Sequence, residues 1–302
     1  MDERGALALL ADELEPVGDD AAVVDNLVIT TDMLHERTDF PPGTTRYTAG
    51  WRAVGASLSD VAAMGADAQA AVAAYAVPEF DREELLAFVR GASDVCEAVG
   101  AEYVGGDLDG HEEFTVSTTA IGRTDNPVPR SGASAGEIVC VTGTLGRSAA
   151  GLELFERASD EADEQAAARL RERANDLFRF EPRVDAGRTL ATEATAMMDS
   201  SDGLARSLHQ LSEASNCGFE IDSATVPVDD ALVELAADDA DALERATTFG
   251  EDFELVATLP EDALEEVQAA VDVPVTPLGS VTAAESGVKM DGNALEDRGF
   301  TH

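Results

Sequence analysis

The chain has 302 residues, 44% of them hydrophobic, which is enough for sizeable cores in about two domains and argues against global disorder. Asp and Glu number 61 against 20 Lys and Arg, a formal net charge of −41. No basic stripe is present, so direct nucleic-acid binding is a poor fit.

Met1 to Pro16 lacks a basic start followed by an apolar run, so no signal peptide is expected. No apolar stretch approaches the ~18 residues needed to span a bilayer. A strand is predicted over 21–32. Over 44–65, Tyr47, Trp51, Val54, Leu58 and Val61 step by three and four, which predicts a helix with one apolar stripe. A buried strand over 69–77 ends before Pro78. A second helix covers 81–99, a short strand over 102–106 feeds Asp107, and another strand covers 114–121. Strands and helices thus alternate in an α/β layout. The Pro-, Gly- and Ser-rich stretch 125–136 reads as a linker, dividing a domain over 1–130 from one over 131–302. Beyond it come a strand over 137–142, a helix from about Ser148, a solvated acidic helix over 158–176, a helix over 203–215 and a strand over 253–259.

The charge pattern reads as adaptation to molar salt, where a Debye length of roughly 3 Å at 1 M removes the self-repulsion of an acidic surface. An acidic protein with basic partners is the alternative. Cys96, Cys140 and Cys217 are odd in number and lack metal-ligand spacing, so buried free thiols in a reduced cytoplasm are expected.

Asp recurs among small and apolar residues in Val17-Gly18-Asp19-Asp20, Thr30-Thr31-Asp32, Leu58-Ser59-Asp60, Gly105-Gly106-Asp107 and Asp199-Ser200-Ser201-Asp202-Gly203. Burying an unpaired carboxylate is costly, and Arg and Lys are too scarce to pair with all of these. A divalent cation is the economical partner, and several such acids around one cleft suggest Mg²⁺ holding a polyphosphate. Surface acid is the plain alternative for any one of them, as for Asp160, Asp163 and Asp238 to Asp241. Asp32 ends an apolar strand, and Asp107 follows two glycines, where backbone can approach a ligand closely. Ser201 or Asp202 could simply cap the helix starting at Gly203, but a cap accounts for one polar residue, not two acids flanking two serines. Free N–H groups at that helix start also suit a phosphate. Gly143 to Gly151 fits a strand–turn–helix junction better than a phosphate loop, because the Walker lysine pattern is absent. The four histidines show no catalytic or zinc pairing, and no nucleophile elbow occurs.

In their order, Gly18-Asp-Asp20, Thr30-Thr-Asp-Met33, Leu58 to Ala66, Gly105-Gly-Asp107, Arg130-Ser-Gly-Ala133, Val141-Thr-Gly-Thr144, Asp199 to Leu204 and Gly250-Glu-Asp-Phe-Glu-Leu255 resemble the thiamine-monophosphate kinase family. That family lies within the superfamily of aminoimidazole ribonucleotide synthetase, and the resemblance covers nearly the whole chain. It implies a two-domain aminoimidazole ribonucleotide synthetase-like α/β fold, a cytoplasmic homodimer formed through the N-terminal sheet, and ATP-dependent phosphorylation of thiamine monophosphate to thiamine diphosphate. Several Mg²⁺ ions are implied at Asp19, Thr30, Thr31, Asp32, Asp60, Asp107, Asp199 and Asp202. ATP contacts are implied at Gly106, Asp107, Arg130 and Ser201, and substrate contacts at Asp39, Glu251 and Phe300. Many members carry His where Asp39 stands. No protein nucleophile is implied, since phosphoryl transfer needs alignment and charge neutralisation. The alternatives are another ATP-using member of the superfamily, such as a purine-biosynthesis synthetase, or a non-catalytic metal-dependent binding protein.

Overall fold

The structure, a computed structural model, describes residues 18–299. The first layer is a five-stranded sheet. Its strands are β1 (Ala22–Val24), β2 (Leu27–His35), β3 (Asp67–Val77), β4 (Glu102–Gly110) and β5 (Thr115–Arg123), in the order β1-β2-β5-β3-β4. A one-turn helix α1 (Glu36–Asp39) follows β2. The main helices are α2 (Arg46–Ala63) and α3 (Arg82–Ala98). α3 is the crossover between the parallel pair β3 and β4, while β2, β5 and β3 pair antiparallel.

The predicted stripe of α2 is observed, with Val54, Leu58 and Val61 fully buried. The small residues of α2 serve close approach. A Cβ on Gly50 would lie 2.2 Å from the Phe88 carbonyl oxygen, and one on Gly91 of α3 would lie 1.9 Å from that of Tyr47. α2 and α3 therefore cross backbone to backbone over one face of the sheet. The opposite face carries exposed apolar side chains, Met33, Val72 and Val104 among them.

The second layer is a seven-stranded sheet of β6 (Ile138–Thr142), β7 (Ala196–Asp199), β8 (Cys217–Ile221), β9 (Leu255–Leu259), β10 (Val275–Ala283), β11 (Val288–Met290) and β12 (Asn293–Ala294), in the order β12-β11-β8-β10-β6-β9-β7. Its helices include α4 (Arg147–Asp160), α5 (Glu164–Phe178), α6 (Val184–Leu190), α7 (Leu204–Ser215) and α8 (Asp239–Thr248). The predicted helix over 158–176 is instead the end of α4 and the body of α5. Asp163 breaks it by accepting from the backbone N–H groups of Gln165 and Ala166, the capping geometry that starts a new helix. The strand predicted from residue 253 begins only at Leu255, because Glu251 and Phe253 hold positive φ angles of 59° and 55°, which no strand tolerates. β4 runs on to Gly110, so Asp107 lies within a strand rather than after one.

The two layers meet along α2. The hydrophobic core that holds Val54 and Leu58 continues through Val184 and Leu190 of α6 to Met197, Leu255 and Ala257 of the second sheet. Gly187 of α6 sits where a Cβ would be 2.1 Å from the Ala62 carbonyl oxygen. Cys96, Cys140 and Cys217 are buried free thiols, as expected; burial pushes the first two up to about 12.

Candidate active site at the domain junction

Alternation along β2 decides which of its polar residues can act together. Thr30 and Asp32 point to the helix-covered face, where the Thr30 hydroxyl donates to Asp60 (2.5 Å) and the Ser57 hydroxyl of α2 donates to Asp32 (2.5 Å). Thr31 points to the open face and donates to the Thr118 carbonyl oxygen (2.7 Å). Its hydroxyl is therefore separated by the sheet from Thr30 and Asp32, and only its backbone could share their site.

From the second layer, β7 delivers Asp199, which is fully buried. Ser59 of α2 donates to Asp199 (2.7 Å), and so does the backbone N–H of Ser201 (3.2 Å). Carboxylate oxygens of Asp20, Asp60 and Asp199 all lie within 4.8 Å of one another. Of the adjacent acids Asp19 and Asp20, it is Asp20 that enters this cluster. Asp19 is exposed and accepts from the backbone N–H of Arg130 (2.8 Å). The Arg130 guanidinium forks onto Asp20 through Nε (3.2 Å) and Nη2 (2.9 Å).

One arginine for three carboxylates leaves the cluster short of positive charge. Burial, then repulsion from Asp32, Asp199 and Asp20, raises Asp60 well above the usual carboxylate range, against the opposing bond from Thr30. Burial and Asp20 raise Asp199 to about 7. A set of hard carboxylate and hydroxyl oxygens that repel one another when ionised suits a hard divalent cation such as Mg²⁺.

The turn after Asp199 is held from below. The Ser200 N–H donates to the Glu254 carbonyl oxygen (2.8 Å), and the Glu254 N–H returns a bond to the Ser200 hydroxyl (3.0 Å). Helix α7 starts behind Gly203, which has φ of 100° and no side chain to cap with. Ser201 and Asp202 are half-buried on this turn. The Glu251 N–H donates to the Ser201 carbonyl oxygen (2.6 Å), so the Gly250 turn is strapped directly onto it.

Other expected site residues lie apart from the cluster. Asp107 is on edge strand β4, paired with Ala74 on the open face and two strands beyond β5. Gly106, at φ 153°, passes so close to β3 that a Cβ would meet the Ala73 carbonyl oxygen at 1.7 Å. Asp39 is buried and accepts from the His35 N–H and the Thr38 hydroxyl (both 2.7 Å), closing its own one-turn helix. Glu251 is buried and paired with Arg52 (2.9 Å). Phe300 lies outside the described residues. A cavity of about 910 Å³ between Phe40, Pro41, Arg46 and Phe155 borders the Asp39 loop but excludes the acid cluster.

Asp20, Ser57, Ser59 and Arg52 are absent from the residue set expected from sequence. Asp20 and Ser59 lie inside the acidic motifs of the sequence, next to Asp19 and Asp60. Nothing in the sequence marks Arg52, which lies in the apolar helix pattern.

Residues 18–124 match the family of the AIR synthase related protein, N-terminal domain, and residues 134–291 match that of its C-terminal domain. The chain is 61% identical to the thiamine-monophosphate kinase of Halobacterium salinarum over 302 residues, all of both chains. It is similar in structure to AaThiL complexed with AMPPCP and TMP, with a TM-score of 0.86 and 31% identity, covering 100% of this chain and 97% of that one. The hydrogenase maturation protein HypE in complex with ATP shares the fold at a TM-score of 0.70 and 19% identity, covering 92% of this chain and 88% of that one.

Proposed function

The chain belongs to the thiamine-monophosphate kinase family, and we propose that it phosphorylates thiamine monophosphate with ATP, forming thiamine diphosphate and ADP. The observation that carries this reading is the convergence of Asp20, Asp60 and Asp199 from three separate segments into one buried cluster at the domain junction. An acceptor phosphate oxygen is already ionised at neutral pH. It attacks the γ-phosphorus of ATP as the bond to the β–γ bridging oxygen breaks, and no protein base is needed.

Asp20, Asp60 and Asp199, with Asp32 and Thr30 beside them, are the residues to hold Mg²⁺; Asp202 is a further ligand from the following turn. Bound there, Mg²⁺ would neutralise phosphate oxygens and shield the two anionic substrates from each other. Asp19 acts by fixing the Arg130 backbone, and Thr31 contributes through its backbone alone. Arg130 and Ser201 contact ATP phosphates, the guanidinium exchanging Asp20 for phosphate. Gly106 and Asp107 are further nucleotide contacts on edge strand β4, Asp107 from the open face through which two copies pair. Glu251 contacts the thiamine portion, and Asp39 and Phe300, the latter outside the described residues, are further substrate contacts.

The apolar open face of the first sheet, with Met33 and Val104 exposed, is the surface through which two copies pair as a homodimer. Among the described residues no helix is long and apolar enough to cross a membrane, and the protein works in the cytoplasm at molar salt. The test is product analysis in molar KCl with Mg-ATP and, separately, thiamine monophosphate, thiamine and formylglycinamidine ribonucleotide. ADP and thiamine diphosphate in equal amounts from the first alone is expected. Equal phosphorylation of free thiamine, or turnover of the ribonucleotide, would refute the reading.

A further inference from the structure

Arg52 lies in the middle of α2 and is 1% exposed. Its guanidinium stacks on the Phe178 ring at 4.0 Å and lies within 5.7 Å of the Phe180 and Phe253 rings, which are stacked on each other at 4.2 Å. Nη1 donates to the Phe178 carbonyl oxygen (2.9 Å). Nη2 donates to Glu251 twice, to Oε2 (2.9 Å) and to the backbone carbonyl oxygen (3.2 Å). Nε has no partner among the described residues.

As a stabilising device this is a poor choice. A buried ion pair is often no better than apolar residues of the same volume, and an orphaned buried donor adds a cost. What the pair does achieve is geometric. Glu251 sits at φ 59° between Gly250 at 85° and Phe253 at 55°, a run of left-handed backbone that must be held by its surroundings. Arg52 holds it at both the carbonyl and the carboxylate, and Ser148 adds a hydroxyl bond to the same carbonyl (2.6 Å). The carboxylate is gripped at Oε2 only; among the described residues no donor is paired with Oε1.

α2 also carries Ser59, which fixes Asp199, and Asp60, which joins the acid cluster. One rigid helix therefore sets both Glu251 and the cluster. The strap from the Glu251 N–H to Ser201 fixes the second side of the same frame.

We infer that Arg52 is a positioning residue that fixes the Glu251 carboxylate through Oε2 and leaves Oε1 to contact the acceptor substrate. This rests on the reading of Glu251 as a substrate contact. Among the described residues Arg52 bonds to Ser148, Phe178 and Glu251 and to no member of the acid cluster, so its effect belongs to acceptor binding and not to ATP.

The experiment is steady-state kinetics of the full chain with Mg-ATP and thiamine monophosphate, for Glu251→Gln, Arg52→Lys, Arg52→Met and the Arg52→Met/Glu251→Gln double variant. Circular dichroism and melting identify any variant that fails to fold. Loss of a charge-assisted bond predicts a thiamine monophosphate KM about 10-fold higher in Glu251→Gln and in Arg52→Met, with the ATP KM changed by less than about twofold. Arg52→Lys keeps the charge without the fork, so it should fall between, at roughly threefold. The double variant should be no worse than Glu251→Gln alone, because Arg52 acts through Glu251. If Arg52→Met does not fold, the lysine variant decides. An Arg52→Lys enzyme whose two KM values move together, or not at all while Glu251→Gln raises the acceptor KM, would overturn the inference and leave the Glu251 contact standing. An unchanged acceptor KM in Glu251→Gln would sink the contact itself, and the inference with it.

Discussion

At the Glu251 and Glu254 end of the domain junction, each of the two buried glutamates meets its own arginine, while Asp252 between them accepts from the Gly146 and Ser148 backbone N–H groups (2.5 and 2.8 Å). Arg52 takes Glu251, and Arg183 forks onto Glu254 through Nε (2.8 Å) and Nη2 (2.6 Å) while the Thr142 hydroxyl adds a third bond (2.7 Å). At the Asp60 end, two turns further along α2, three carboxylates share Arg130. Both ends are buried, and both join the two layers. The first is complete as folded protein. The second is electrostatically incomplete: burial, and then repulsion from neighbouring acids, raises Asp60 and Asp199. In a protein with 61 acids, the number of carboxylates says little about function; whether a buried one is compensated says a great deal.

The largest effect that would break this contrast is at the uncompensated end. Asp199→Asn should lower thiamine diphosphate formation by ~10²-fold or more, as expected when charge stabilisation worth several kcal/mol is lost. Yet it should leave the metal-free protein at least as thermally stable as the wild type, because one member of a repelling set is gone. A melting scan in EDTA beside an activity assay checks both halves. A matching loss of stability would mean that Asp199 serves the fold.

At the compensated end the order reverses. Glu254→Gln should destabilise by about 2 kcal/mol, since it leaves the half-buried Arg183 guanidinium without its carboxylate. Denaturant titration measures it. The exposed pair Arg173–Glu234 is the control, with Arg173→Ala changing stability by less than about 1 kcal/mol.

A smaller effect appears in pH dependence. Burial first, and Asp20 second, lift Asp199 from 3.8 to about 7. Between those values the native metal-free protein keeps a proton that the unfolded chain releases. This contribution to stability is full below the unfolded value and is lost as pH rises towards 7, by up to ~1.4 kcal/mol per pH unit. The slope should be shallower in Asp199→Asn, and in wild type it should vanish at saturating Mg²⁺, which binds the ionised form. Identical slopes with and without Mg²⁺ would contradict the assignment.

Much of this site could be read from the chain because its parts are local. The α2 stripe, the buried setting of Asp60 and the doubled acids of the Asp199 turn follow from spacing and from small neighbours. The motif groups Thr31 with Thr30 and Asp32, but a strand sends alternate side chains to opposite faces, so the sheet separates them. Asp19 and Asp20 are indistinguishable by neighbours; what separates them is which one meets the Arg130 guanidinium and Asp199, residues 110 or more positions away. Arg52 and Arg183 are invisible for the same reason, since an enclosed arginine is explained only by its partner, and Glu251 and Glu254 lie 199 and 71 positions away. Asp107 shows the remaining gap: the Gly-Gly pair before it signals close backbone approach, and the approach is to Ala73 of the neighbouring strand.

The most direct test is anomalous diffraction from crystals soaked in Mn²⁺ with a non-hydrolysable ATP analogue. The account predicts a strong peak among the carboxylates of Asp20, Asp60 and Asp199, with the Arg130 guanidinium moved from Asp20 to the nucleotide phosphates. Mn²⁺ and nucleotide bound elsewhere, with the Arg130–Asp20 fork intact and no peak in the cluster, would contradict it.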